Sequence, residues 1–176
     1  MSSDVKRLVY CAIAIALATV TSFIKLTSLP FGGSVTLFSM FFICLTGYLY
    51  GLKTGLMTGI AYGILQLMLD PYIYAPMQIL LDFPFAFGAL GFSGLFWKSR
   101  HGLVKGCAAG MTGRYLCHVV SGYIFFAEYV PDGMNPILYT LGYNLTYILP
   151  EMMITLILVS IPTMVTALSQ VKRMVV

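Results

Sequence analysis

The sequence predicts an all-α membrane protein of six transmembrane helices in one compact bundle, with both termini cytoplasmic. Three observations carry this reading. The 176 residues are 59% hydrophobic and 9% charged, with a mean hydropathy of +0.90, where soluble domains carry about 25% charged residues. The apolar runs are long and unbroken, without the alternation of a membrane β-barrel strand. Basic residues stand singly or in pairs at the edges of those runs, so the net charge of +4 reports topology and excludes a nucleic-acid surface. No linker is long enough to separate two domains, so residues 1–176 are read as one integral membrane domain, multi-pass in the lipid bilayer.

The first helix is expected over 8–24. Lys6 and Arg7 precede it, but no small-residue cleavage site follows, so it reads as a retained span and not a secretory signal. Ala12/Ala16 and Ala14/Ala18 form two overlapping small-xxx-small pairs, which serve either packing within the bundle or docking of a separate membrane subunit. The loop 29–34 contains Pro30, Gly32 and Gly33 and lies on the predicted outer face, as a lid or as a plain connecting turn. Helices over 35–50 and 54–69 follow, the second with Gly55, Gly59 and Gly63 at intervals of four, a smooth packing ridge.

A fourth helix over 75–96 holds Asp82, with Pro84 two residues on. The proline frees a backbone carbonyl and bends the helix beside the carboxylate. Asp82 is a partner for Arg114 or a counter-ion for a cationic ligand. In the fifth helix, over 103–126, Arg114, His118 and Ser121/Gly122 share one face, and Gly122 leaves room beside His118 for a flat group. The sixth, over 136–168, carries Tyr139, Asn144 and Glu151. Ionisable groups inside such segments are costly and need partners, so Arg114 is expected to pair with Glu151 or Asp82, with Arg114–Glu151 read as the structural ion pair. Rings at Tyr123, Phe125, Phe126, Tyr129, Tyr139, Tyr143 and Tyr147 make an interfacial belt or a box for a flat organic cation.

Orientation follows from charge. Lys6, Arg7, Lys53, Lys98, Arg100, Lys105, Lys172 and Arg173 fall on one side, read as cytoplasmic; Lys25, Asp70, Glu128 and Asp132 fall on the other. Cys11, Cys44, Cys107 and Cys117 lack metal or redox spacing and read as packing residues. A Walker A loop, HExxH and GxSxG are absent, so neither enzymatic turnover nor ATP hydrolysis is expected, and neither a metal nor a cofactor.

GGSVTL at 32–37, LDFPFAF at 81–87, RYLCHVVSGYIFF at 114–126 and LYTLGYNLTYILPE at 138–151 together resemble the thiamine-specific substrate-binding component of energy-coupling-factor vitamin transporters. That resemblance implies a substrate-binding domain in the bacterial cell membrane that captures thiamine from outside. It implies as partners one transmembrane coupling protein, docked on the alanine face of the first helix, and two ATPase subunits. Carried over residue by residue, the family's pocket falls on Tyr72, Asp82, His118, Gly122, Phe126, Tyr139 and Asn144. Phe126 stands where the family has tryptophan, and Asp82 where some members have glutamate. The competing readings are a component for another vitamin or a hydroxymethylpyrimidine precursor, and a membrane-embedded enzyme using Arg114, His118 and Glu151.

Overall fold

The computed structural model describes residues 3–175; positions 1, 2 and 176 of the expected domain lie outside them. Helices α1 (Ser3–Ser22), α2 (Ser39–Tyr50), α3 (Leu52–Leu69), α4 (Pro76–Phe96), α5 (Gly102–Phe125) and α6 (Pro136–Ser160) form the bundle, and α7 (Pro162–Val175) follows. A two-stranded antiparallel hairpin, β1 (Lys25–Ser28) and β2 (Ser34–Thr36), joins α1 to α2. By length and composition α1, α3, α4 and α6 can each cross a membrane. The 12-residue α2 is apolar but shorter, and the 24-residue α5 carries Lys105, Arg114 and His118.

Side chains are distributed as a bundle in lipid requires. Small residues fill the helix contacts, while large aliphatics such as Leu8, Met57, Leu116 and Ile157 point outward. On α1 the two alanine pairs part company: Ala14 and Ala18 are buried, and the backbone oxygen of Ala18 accepts from Tyr62 Oη at 3.2 Å. Ala12 and Ala16, about 200° around the helix, remain exposed.

The glycine ridge of α3 lets α4 approach to backbone contact. A Cβ placed on Gly59 would sit 2.4 Å from the carbonyl oxygen of Phe87, and one on Gly63 would sit 2.5 Å from that of Phe83. Neither oxygen is the end of a flexible side chain. Gly59→Val is therefore expected to destabilise the bundle by about 1–3 kcal/mol, read as a lowered thermal unfolding midpoint in detergent. Gly142→Ala, with open space around the added methyl, should leave that midpoint unchanged or raise it.

Several elements differ from the sequence expectation, the first helix among them, which runs Ser3–Ser22 and not over 8–24. The second helix begins at Ser39 and not at 35, because residues 34–36 pair with β1 and Phe38 takes a left-handed turn at φ 64°. The sixth helix stops at Ser160 and not at 168: Ile161 precedes Pro162, whose ring disfavours the helical conformation of its neighbour, and Ile161 adopts ψ 127°. Within α4 the segment Leu81–Phe85 is a π turn, since Pro84 has no N–H to donate and the ladder widens around it. The last stretch, Leu90–Phe96, tightens to a 3-10 helix.

Candidate functional site

Asp82 projects from the π turn of α4 toward α5. Its Oδ1 lies 2.9 Å from His118 Nδ1, and its Oδ2 accepts from Gln78 Nε2 at 2.6 Å. Arg114, one turn before His118, donates from Nε to His118 Nε2 at 3.3 Å. A guanidinium can only donate, so Nε2 must accept, and the imidazole is neutral with its proton on Nδ1, directed at Asp82. The relay Arg114–His118–Asp82 thus fixes both the tautomer and the rotamer of the carboxylate. The guanidinium also lies 4.2 Å from the Phe87 ring centroid, a cation–π contact that shelters its charge.

This arrangement corrects the expected Arg114–Glu151 pair, which does not form. Glu151, 2% exposed, accepts at Oε2 from Thr36 N at 3.0 Å and Thr36 Oγ1 at 2.7 Å. Its Oε1 accepts from Met40 N at 3.1 Å and Ser39 Oγ at 3.4 Å. The carboxylate is therefore occupied by the β2–α2 junction and caps the N-terminus of α2 from α6, where the helix dipole favours negative charge.

Asp82, His118, Gly122, Phe126, Tyr139 and Asn144 line one cavity, together with Phe31, Ser121, Tyr129, Thr140, Tyr143 and Tyr147. The free space among these residues, with the open mouth counted in, is about 480 Å³. Tyr72 lies in the adjoining cavity, which shares Phe31, Asp82, His118 and Tyr147 with the first. The Tyr72 ring is 6.0 Å from that of Phe126.

Local chemistry sets what each residue can offer. Asn144 Nδ2 donates to Thr140 O at 2.9 Å and to His118 O at 3.4 Å, and its Oδ1 accepts from Tyr147 Oη at 2.6 Å. It is a clamp between α5 and α6, with one Oδ1 lone pair left free. The space beside Gly122 is filled by Thr140: an added Cβ would meet Thr140 Cγ2 at 2.5 Å. That glycine lines the cavity and also brings the two helices together. Ser121 Oγ is buried without a hydrogen-bond partner.

The hairpin tip packs against the aromatic rim of the cavity. Phe31, at φ 61°, packs against Phe126, Tyr129 and Tyr143 with ring centroids 6.2, 5.3 and 6.2 Å away. Tyr143 Oη donates to Pro30 O and accepts from Gly33 N. Lys25 is paired with Asp70 across the base of the hairpin, an exposed contact of small energetic weight. Tyr74 Oη donates to the Glu128 carboxylate, which pushes the phenol pKa well up by stabilising its protonated form.

Gln78 and Thr140 were not among the residues expected at the site, and Tyr143 and Tyr147 were expected there only as part of an aromatic belt or a box for a cation. Spacing gave a signal for three of them: Tyr139, Tyr143 and Tyr147 recur every four residues on one face of α6, and Gln78 stands one turn before Asp82 in an otherwise apolar run.

The sequence model of the thiamine transporter protein family (Thia_YuaJ) matches residues 8–170. Thiamine transporter ThiT of Bacillus subtilis (strain 168) is 33% identical, aligned over 87% of this chain and 88% of its own length. Thiamine transporter ThiT of Lacticaseibacillus paracasei is 29% identical over 49% of each chain. A solved structure of ThiT from Listeria monocytogenes superposes with a TM-score of 0.79 at 25% identity, covering 91% of this chain and 94% of that one. The chain is a membrane protein of the thiamine transporter (Thia_YuaJ) family, a transport protein and not an enzyme.

Proposed function

We propose that this protein is the thiamine-binding membrane subunit of an energy-coupling-factor importer, and that the cavity between α4, α5 and α6 holds thiamine. The observation that carries the reading is the combination of one carboxylate, fixed by a neutral histidine, with a wall of aromatic rings. Thiamine is a permanent thiazolium cation joined to a flat aminopyrimidine. Asp82 offsets the cationic charge or accepts from the aminopyrimidine, while Phe126 and His118 flank a ring. Tyr139 supplies an orienting hydroxyl, and Asn144 the remaining lone pair of Oδ1. The family names of the relatives support the same ligand over another vitamin.

In this reading residues 1–176 form a single substrate-binding domain that crosses the bacterial cytoplasmic membrane six times, with both termini inside. The site then opens to the outer face, and Phe31 is the lid. Its left-handed backbone costs on the order of 1 kcal/mol, so the closed hairpin is held by its contacts with Tyr129, Tyr143 and Phe126 and opens when they yield. The exposed Ala12/Ala16 face is the docking surface for the transmembrane coupling protein, while Ala14/Ala18 is committed to packing inside the bundle. Two separate ATPase subunits supply the energy.

Proteoliposomes test this. The protein alone is expected to bind labelled thiamine without accumulating it; adding the coupling protein and both ATPases with ATP should produce accumulation. ATP-independent accumulation by the chain alone would overturn the assignment. The Phe126→Trp variant provides a second check, because indole is the better π-donor for a cation. Its affinity for thiamine should rise about threefold, and it should gain a ligand-quenched fluorescence. The native Trp97, packed against Lys172 at the far end of α4 from Asp82, should stay silent.

A further inference from the structure

We propose that Gln78 is a positioning residue that locks the Asp82 carboxylate and the loop 70–75 into one unit, so that the ligand-facing charge and the loop lining the cavity mouth move together. Gln78 is 1% exposed and lies one helical turn before Asp82 at the start of α4. Its amide is committed on both sides. Nε2 donates to Asp82 Oδ2 at 2.6 Å and to the Tyr72 carbonyl at 3.1 Å, and Oε1 accepts from Tyr74 N at 3.0 Å. Both hydrogens are used, and a buried amide with such partners is costly to disturb.

The loop so held reaches two other parts of the cavity. Tyr72 packs against Gly32 of the hairpin tip, where an added Cβ would meet Tyr72 Cγ at 3.1 Å. The Tyr74 ring lies 5.2 Å from that of Phe126 and its hydroxyl reaches Glu128, beyond the end of α5. His118 fixes one carboxylate oxygen of Asp82 and Gln78 fixes the other. Removing Gln78 frees the carboxylate to rotate and unties Tyr72 and Tyr74 from α4 in the same step. No other side chain among the described residues donates to Oδ2.

This inference rests on the assignment of Asp82 to the thiamine site, and the test separates the two. Thiamine affinity is measured by calorimetry for the wild type, Gln78→Met, Asp82→Asn and the double variant. Gln78→Met should weaken binding about tenfold alone and less than threefold in the Asp82→Asn background. In that background His118 donates to the amide oxygen, leaving an NH2 group facing Gln78, so the bond is already lost. Spin labels at Ile73 and Asp132 should give a broader distance distribution in Gln78→Met than in the wild type. Gln78→Glu, nearly isosteric, keeps the acceptor for Tyr74 N but sets a carboxylate against Asp82, and should lose more affinity than Gln78→Met. Wild-type binding by Gln78→Glu, equal tenfold losses in both backgrounds, or a lowered melting temperature with unchanged affinity and label distances would overturn the positioning role. Wild-type affinity in Asp82→Asn would overturn the site assignment itself, and the inference with it.

Discussion

Asp82→Asn is expected to weaken thiamine binding by roughly 100-fold, the cost of a charge-assisted contact of about 1.5–3 kcal/mol to a cationic ligand. Asp82 is partly buried among rings, and in so apolar a setting water does little to screen its attraction for a thiazolium. The substitution also damages the protein's side of the site. Asparagine still accepts from His118 but presents an NH2 group to Gln78, so the amide and the loop behind it lose their anchor. Calorimetry on the purified variant, with Asp82→Glu beside it, is the check. The glutamate should recover most of the loss, since it keeps the charge and only changes its reach. An asparagine variant binding within threefold of the wild type would contradict an electrostatic role for Asp82.

Glu151→Ala should act on the fold and, through it, on the proposed lid. Four donors from the β2–α2 junction converge on this carboxylate. Leaving them without an acceptor in a buried position is expected to cost about 3–5 kcal/mol. Glu151→Gln should be nearly as harmful despite its matching shape, because one oxygen becomes a donor set against donors. The expected readouts are a sharply lower unfolding midpoint and faster thiamine release, since β2 carries one leg of the hairpin that seats Phe31 over the cavity. An unchanged midpoint with unchanged release would contradict the capping role.

Much of the bundle was legible because lipid imposes a simple rule on sequence: long apolar runs, with charges at their ends. The positions of Asp82, His118 and Asn144 were legible for the same reason, as polar groups in apolar helices with few alternatives to facing one another. Pairing was not. Arg114 had two carboxylates within plausible reach, and the outcome turned on Glu151 being filled by Thr36, Ser39 and Met40, residues 111 to 115 positions away in the chain. The hairpin was missed because Lys25–Ser28 and Ser34–Thr36 are too short to show an alternating pattern, and Val35 and Thr36 continue without a break into apolar residues of α2. The contact of Gly122 with Thr140 was not legible because Thr140 lies 18 residues on, and spacing within one helix carries no information about the facing one.

The most direct test of the thiamine site is calorimetric titration of the detergent-purified wild-type protein with thiamine, alongside its separate pyrimidine and thiazole fragments. A single tight site per chain for thiamine, with each fragment much weaker, is the predicted result. No heat of binding for thiamine, or tight binding of the pyrimidine fragment alone, would contradict the assignment of the α4–α5–α6 cavity to the intact vitamin.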